Sequence, residues 1–194
     1  MNTSSHILIG NFLCRYLNVH YGILLDKKNY ILGNVLPDYS PSFLVRPHYL
    51  KNNAGYVQKI LQFLVSQDSA AYNDKRQTRL LGILCHFYAD FFCFAHREEV
   101  VLSLPEHIRY ESKLHHYFTN HFQQLDSLCF GIQPRPENSM PGLYRQFEEL
   151  HAGYLSSSPS FGNDLIYALT ACIEMTVSIC GRTQRAVRQM PLFL

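Results

Sequence analysis

Two runs of the chain set histidine and carboxylate side chains one helical turn apart. The first, from Cys85 to His96, contains His86, Asp90 and His96; the second holds His107 and Glu111. Residues four apart stack on one face of a helix, so each pair presents a nitrogen and an oxygen side by side. These are ligand types that zinc takes in catalytic sites, where an open position is left for water. Asp90 also lies inside a strongly apolar stretch. An unpaired carboxylate there is costly, so a cationic partner is expected beside it.

His96 follows Asp90 by six residues, which on a regular helix turns it about 120° away from that face. Either the helix ends near Cys93, or His96 serves a second ion close by. Two neighbouring ions form the clamp that phosphoester hydrolases use. His96, His107 and Glu111 together make a His2Glu set. Asp38 and His48 each follow a proline, Pro37 and Pro47, in loops that can hold a ligand rigidly. With His86 and Asp90 they complete a second set, and His6 is a further candidate. His115, His116 and His121 rival these but read better as supporting or surface groups. His20 and His151 have no partner pattern.

The elements that must position these residues are helices. Ser4 or Ser5 can cap a first helix with apolar residues at 3–4 spacing from Ile7 to Leu17, ended by Gly22. Asp26 can cap a short helix through Leu32, after which Gly33 to Pro41 reads as loop because of its two prolines. The loop continues to about Asn52, and Tyr56 to Val65 is amphipathic. Residues 67–75 are turn-like. The helix from about Gln77 to His96 is apolar nearly all round and should be central. Pro105 opens a helix that runs to about Leu128. Gly131 to Pro141 reads as an irregular linker, followed by helices over about 143–155 and 163–188. No internal repeat or series of alternating strands is seen. The expected architecture is one all-α domain over residues 1–194, a helical bundle.

Composition narrows the function. The net charge is +2 with ten histidines counted neutral, which does not suggest bulk nucleic-acid binding. Arg182, Arg185 and Arg188 form a short basic stripe that reads as a solvated face. The six cysteines are scattered without a CxxC and read as reduced thiols, not a disulfide framework. The first residues lack the basic start of a secretory signal, and the longest apolar run, Leu80 to Ala95, is too short and polar to span a bilayer. A cytoplasmic protein without a transmembrane segment is expected.

In the order and spacing of these residues the chain resembles the zinc-dependent phospholipase C family, whose fold is related to the S1/P1 nucleases. The match runs through His6, Asp38 in Gly-Asn-Val-Leu-Pro-Asp, His48, His86-x3-Asp90-x5-His96 and His107-x3-Glu111, and covers roughly residues 1–125. The resemblance implies an all-α fold around two or three zinc ions. One ion would take Asp38, His48, His86 and Asp90; a second His96, His107 and Glu111; a third Asp90 and His6. It implies hydrolysis of a phosphodiester, in phospholipid or, in the nuclease relatives, in single-stranded nucleic acid, by a zinc-activated water attacking phosphorus. Asp38 would orient or deprotonate that water. In secreted members an N-terminal Trp binds the third ion through its amine and carbonyl; this chain has no Trp.

Two other readings belong to different classes. An aromatic-lined cleft without strong positive charge would favour lipid headgroups, whereas stacking aromatics with basic groups would favour a nuclease or nucleotidase of the same fold; Tyr39, Phe43, Tyr49 and Tyr88 could line such a cleft. A non-catalytic helical interaction module would keep the metals in closed shells. An HD-type phosphohydrolase needs a His-Asp dipeptide, which is absent, and a ferritin-like protein needs two Glu-x-x-His pairs, of which only Glu148-x-x-His151 is present.

Overall fold

The Asn2 side chain accepts the Ser5 N–H and starts α1 (Thr3–Tyr21). The cap is therefore Asn2 and not Ser4 or Ser5; Ser5 lies buried inside the helix. Gly22, at φ 65°, ends α1 as expected, because only glycine enters the left-handed region without strain. Asp26 caps α2 (Lys27–Tyr39) through the Asn29 N–H. This computed structural model describes residues 1–41, 48–67, 74–125, 127 and 139–188, with side chains described as far as Cys180.

The expected loop from Gly33 is instead the second half of α2, with Pro37 inside it. The reason is tertiary packing. A Cβ on Gly33 would stand 2.1 Å from the Arg79 carbonyl oxygen, and one on Gly82 would stand 2.2 Å from that of Tyr30. The two helices thus touch backbone to backbone, and Gly33 is a packing glycine, not a helix breaker. Pro37 removes only the N–H that the Gly33 carbonyl would have accepted, near the helix end.

Helix α3 (Leu50–Ser66) begins before the expected Tyr56. Asp74 caps α4 (Lys75–Phe91), the central helix, which packs on α1, α2, α3 and the last helix of the chain. Leu81 through Phe91 are buried without a gap, as the all-round apolar pattern required. α4 does not reach His96. It stops at Phe91, Cys93 is extended, and a single 3-10 turn spans Phe94–His96. A Ser103–Glu106 capping box with Pro105 starts α5 (Leu104–His121). Ser139 caps α6 (Met140–Ser156), so Pro141 lies in a first helical turn, where proline is tolerated, and not in the linker. Residues 128–138 lie outside the described residues, as do Cys129 and the side chains of the Arg182 stripe.

The last helix is α7 (Phe161–Arg188). Its segment Phe161–Cys180 is long and apolar enough to cross a membrane, but 78% of that window is buried inside the fold, against α1, α4 and α6. Among the described residues there are seven α-helices and no strand, and all described cysteines are free. The all-α expectation holds.

Candidate metal centre

The break after α4 lets one stretch of chain present two faces. Asp90 is the penultimate residue of α4, and the 3-10 turn returns His96 to the same side. α1 brings His6, the end of α2 brings Asp38, the residues before α3 bring His48, and α5 brings His107 and Glu111.

These groups converge on the fully buried carboxylate of Asp90. Its Oδ2 stands 2.9 Å from His48 Nδ1 and 3.3 Å from His86 Nε2. Its Oδ1 stands 3.3 Å from His6 Nε2 and 3.6 Å from His96 Nε2, and accepts a hydrogen bond from the Met1 amine. That amine is also 2.8 Å from His96 Nε2 and 3.1 Å from Glu111 Oε1. Glu111 Oε1 in turn stands 3.0 Å from both His96 Nε2 and His107 Nε2. Asp38 sits at the edge, its Oδ1 3.8 Å from His86 Nε2, while its Oδ2 accepts from the Thr3 hydroxyl at 2.6 Å. All eight candidate residues are thus brought into one cluster. Among the described residues three sets have ligand atoms within 4.8 Å of one another: His6, Asp38 and His86; His48, His86 and Asp90; and His96, His107 and Glu111.

Charge is balanced within the cluster. Burial works against ionisation of Asp90, but the Met1 ammonium and the surrounding imidazoles hold its carboxyl well below the usual range. Burial likewise opposes the Met1 ammonium, yet the charges of Asp90 and Glu111 outweigh it and push that amine up to about 12. The cationic partner that the sequence demanded for Asp90 is, in this structure, the N-terminal ammonium. Burial and neighbouring His86 bring His6 down to about 4, and burial lowers His96. His48 moves up, because its hydrogen bond to Asp90 prevails over burial.

The donors fit zinc. Ligands held tetrahedrally at zinc distances lie about 3.3 Å apart, and the nitrogen–oxygen separations around Asp90 Oδ2 and Glu111 Oε1 fall at 2.9 to 3.3 Å. His6 adds an independent sign: it is fully buried, yet neither ring nitrogen makes a hydrogen bond. An unpaired buried imidazole is unfavourable without a ligand. His86 Nδ1 donates to the Asn34 carbonyl at 2.9 Å, which leaves Nε2 with its lone pair toward the cluster.

The remaining histidines are placed elsewhere. His115 meets Ser5, His116 meets Asn120, His121 donates to the Tyr117 carbonyl, and His20 packs on Tyr16. Of the aromatics named for a cleft, Tyr49 lies 6.4 Å from His96 between ring centroids, Tyr88 is buried, Tyr39 is exposed, and Phe43 lies outside the described residues.

Sequence reasoning missed three supports. The Met1 amine and the Asn34 carbonyl are backbone atoms, invisible to side-chain patterns. The third is Asp164 in the first turn of α7, a fully buried carboxylate. It accepts from the Phe94 N–H at 3.0 Å and from the hydroxyls of Tyr110 and Tyr154 at 2.8 Å each. It thereby ties the turn carrying His96 to the residue beside Glu111.

A family model described as zinc-dependent phospholipase C matches residues 5–161. The chain belongs to the zinc-dependent phospholipase C family. Among curated proteins and among solved structures nothing matches. The match begins just before His6 and runs beyond Glu111, so it takes in the starts of six of the seven α-helices, α2 to α7, and all eight side chains of the cluster around Asp90. The family is zinc-dependent, in agreement with the chemistry of the donors gathered here.

Proposed function

We propose that this chain is a zinc-dependent phosphodiester hydrolase of phospholipase C type, acting on phospholipid. The observation that carries the reading is the convergence of His6, His48, His86 and His96 on the two oxygens of one buried carboxylate, Asp90. A hydrolase of this class needs neighbouring cation positions, and a carboxylate shared between imidazole sets supplies them.

In this reading Asp38, His48, His86 and Asp90 hold one ion, and His96, His107 and Glu111 hold a second. His6 and Asp90 hold a third. Zinc bound there supplies a water of lowered pKa and neutralises phosphate charge. The chain's own groups supply the rest. Asp38 lies at the solvent edge of the cluster, its side chain 19% exposed, with one oxygen fixed by Thr3. In this reading its other oxygen, 3.8 Å from His86 Nε2, faces the ion and would also orient the attacking water and take its proton. Asn34 keeps His86 in one tautomer through the Nδ1 hydrogen bond.

The test is elemental analysis of untagged protein purified without chelator, followed by hydrolysis assays on phospholipid and on a soluble phosphodiester. Two to three zinc per chain, with hydrolysis lost on chelation and restored by zinc, is the expected result. Asp90→Asn should lose metal and hydrolysis together. Substoichiometric metal that zinc addition does not restore would sink the reading.

A further inference from the structure

We infer that the cleft between α3, α4 and α6 is the seat of an acyl chain of the substrate. This rests on the phospholipid reading above and extends it to residues outside the cluster. The cleft is a cavity of about 360 Å³, within the range of small-molecule sites. Val57, Leu61, Tyr88 and Phe91 form its buried floor. Ala54 on α3 and Ala152 on α6 line it at the exposed rim, where their small side chains leave it open.

Its position is what identifies the occupant. The cleft shares Leu50, Phe91, His151 and Leu155 with a second cavity of about 280 Å³, and that cavity is lined by His96. Three residues at this junction are close chain neighbours of cluster residues: Leu50 of His48, Phe91 of Asp90, and Arg97 of His96. A phosphodiester engaged at the cluster would reach, past Arg97, Glu98 and Glu99 in the second cavity, the apolar cleft beyond. Among the described residues the cleft lining has no Lys or Arg and one carboxylate, Glu148. A polyanionic strand would meet no compensating charge there, whereas a hydrocarbon chain would bury its methylenes against Val57, Leu61 and Phe91.

The experiment is calorimetric titration of the zinc-loaded protein with hexyl-, octyl- and decylphosphonate below their micelle concentrations. These carry a phosphate-like head and a C–P bond that cannot be hydrolysed. Affinity is expected to rise on the order of two- to fourfold per methylene. Ala54→Trp and Ala152→Trp, which fill the cleft from its rim, should flatten the series. Affinity that does not change with chain length overturns the proposal, as does an unchanged slope in both tryptophan variants. Dependence on zinc is a separate readout: a chain-length slope without any zinc effect keeps the acyl seat and removes the hydrolase reading. Zinc-dependent binding without a slope does the reverse.

Discussion

Asp164 accepts the backbone N–H of Phe94 at 3.0 Å across 70 residues of chain. The contact joins the first turn of α7, the helix at the end of the described fold, to the 3-10 turn that carries His96. Asp164→Ala would leave that N–H and the hydroxyls of Tyr110 and Tyr154 without their acceptor. Each such loss in a buried site is unfavourable, and the variant should be less stable by about 2–4 kcal/mol. Asp164→Asn keeps the volume and should lie between. Urea unfolding gives the stability, and zinc analysis of the folded variant should show weakened retention at His96, His107 and Glu111. Zinc content equal to that of the parent chain would mean that Asp164 supports the fold without positioning the centre.

Gly33 and Gly82 allow α2 and α4 to meet backbone to backbone. Alanine at either position must push the helices apart, and with them the Asn34 carbonyl from His86. A loss of about 3 kcal/mol or more, or failure to fold, is expected, with reduced zinc content. Gly55 in α3 is the internal comparison, because a Cβ there meets nothing within 4 Å. Gly55→Ala should stabilise by about 0.4–1 kcal/mol. Similar melting temperatures for the three alanine variants would remove the packing argument.

Chelated protein should be most stable between about pH 6.5 and 8. His6 is lowered to about 4, so below its ordinary value of 6.5 the unfolded chain takes up a proton that the folded chain refuses, and stability falls with pH. His96, Asp90 and Glu111 are lowered too and act in the same direction, each contribution being lost as pH falls through the folded pKa. The Met1 amine is raised from 8.0 to about 12, so its contribution is complete below 8 and is lost as pH rises toward 12. His48, raised above 6.5, partly offsets the acid-side trend just above that value. Urea midpoints measured against pH with chelator present would show the plateau. A midpoint that rose on acidification from 6.5 to 4 would contradict the assignment of buried neutral imidazoles.

Residues added ahead of Met1 should disturb the centre. They would turn a buried ammonium into an amide and remove the positive charge beside Asp90 and Glu111. Removing one partner of a buried charged pair costs about 3–5 kcal/mol. Comparison of chains with and without such an extension, after removal of metal, should show a lower melting temperature for the extended one. Equal melting temperatures would show that the amine is not needed to balance these carboxylates.

Most of the cluster was legible because its ligands are side chains at helical spacing. His86–Asp90 and His107–Glu111 needed only the pitch of a helix, and the apolar run around Asp90 announced a buried charge. The return of His96 could be framed as a helix end or a second ion; the structure shows the helix end. Gly33 was misread because its packing partner is in another helix, and local rules treat glycine and proline as breakers. Asp164 in a first helical turn looks like an ordinary dipole residue. Its three donors come from separate parts of the chain, which no spacing rule connects.

Asp90 directs one oxygen to His48 and His86 and the other to His6 and His96. A cation held at one oxygen by His48 and His86 orients the oxygen that an ion at His6 uses. Occupancies on the two sides are then linked by one coupling free energy, and the linkage is reciprocal. Orientation of the shared carboxylate favours joint filling and repulsion between neighbouring cations opposes it, so stepwise zinc affinities report which of the two prevails. Loss of an imidazole on one side of Asp90 is therefore felt as a changed zinc affinity on the other.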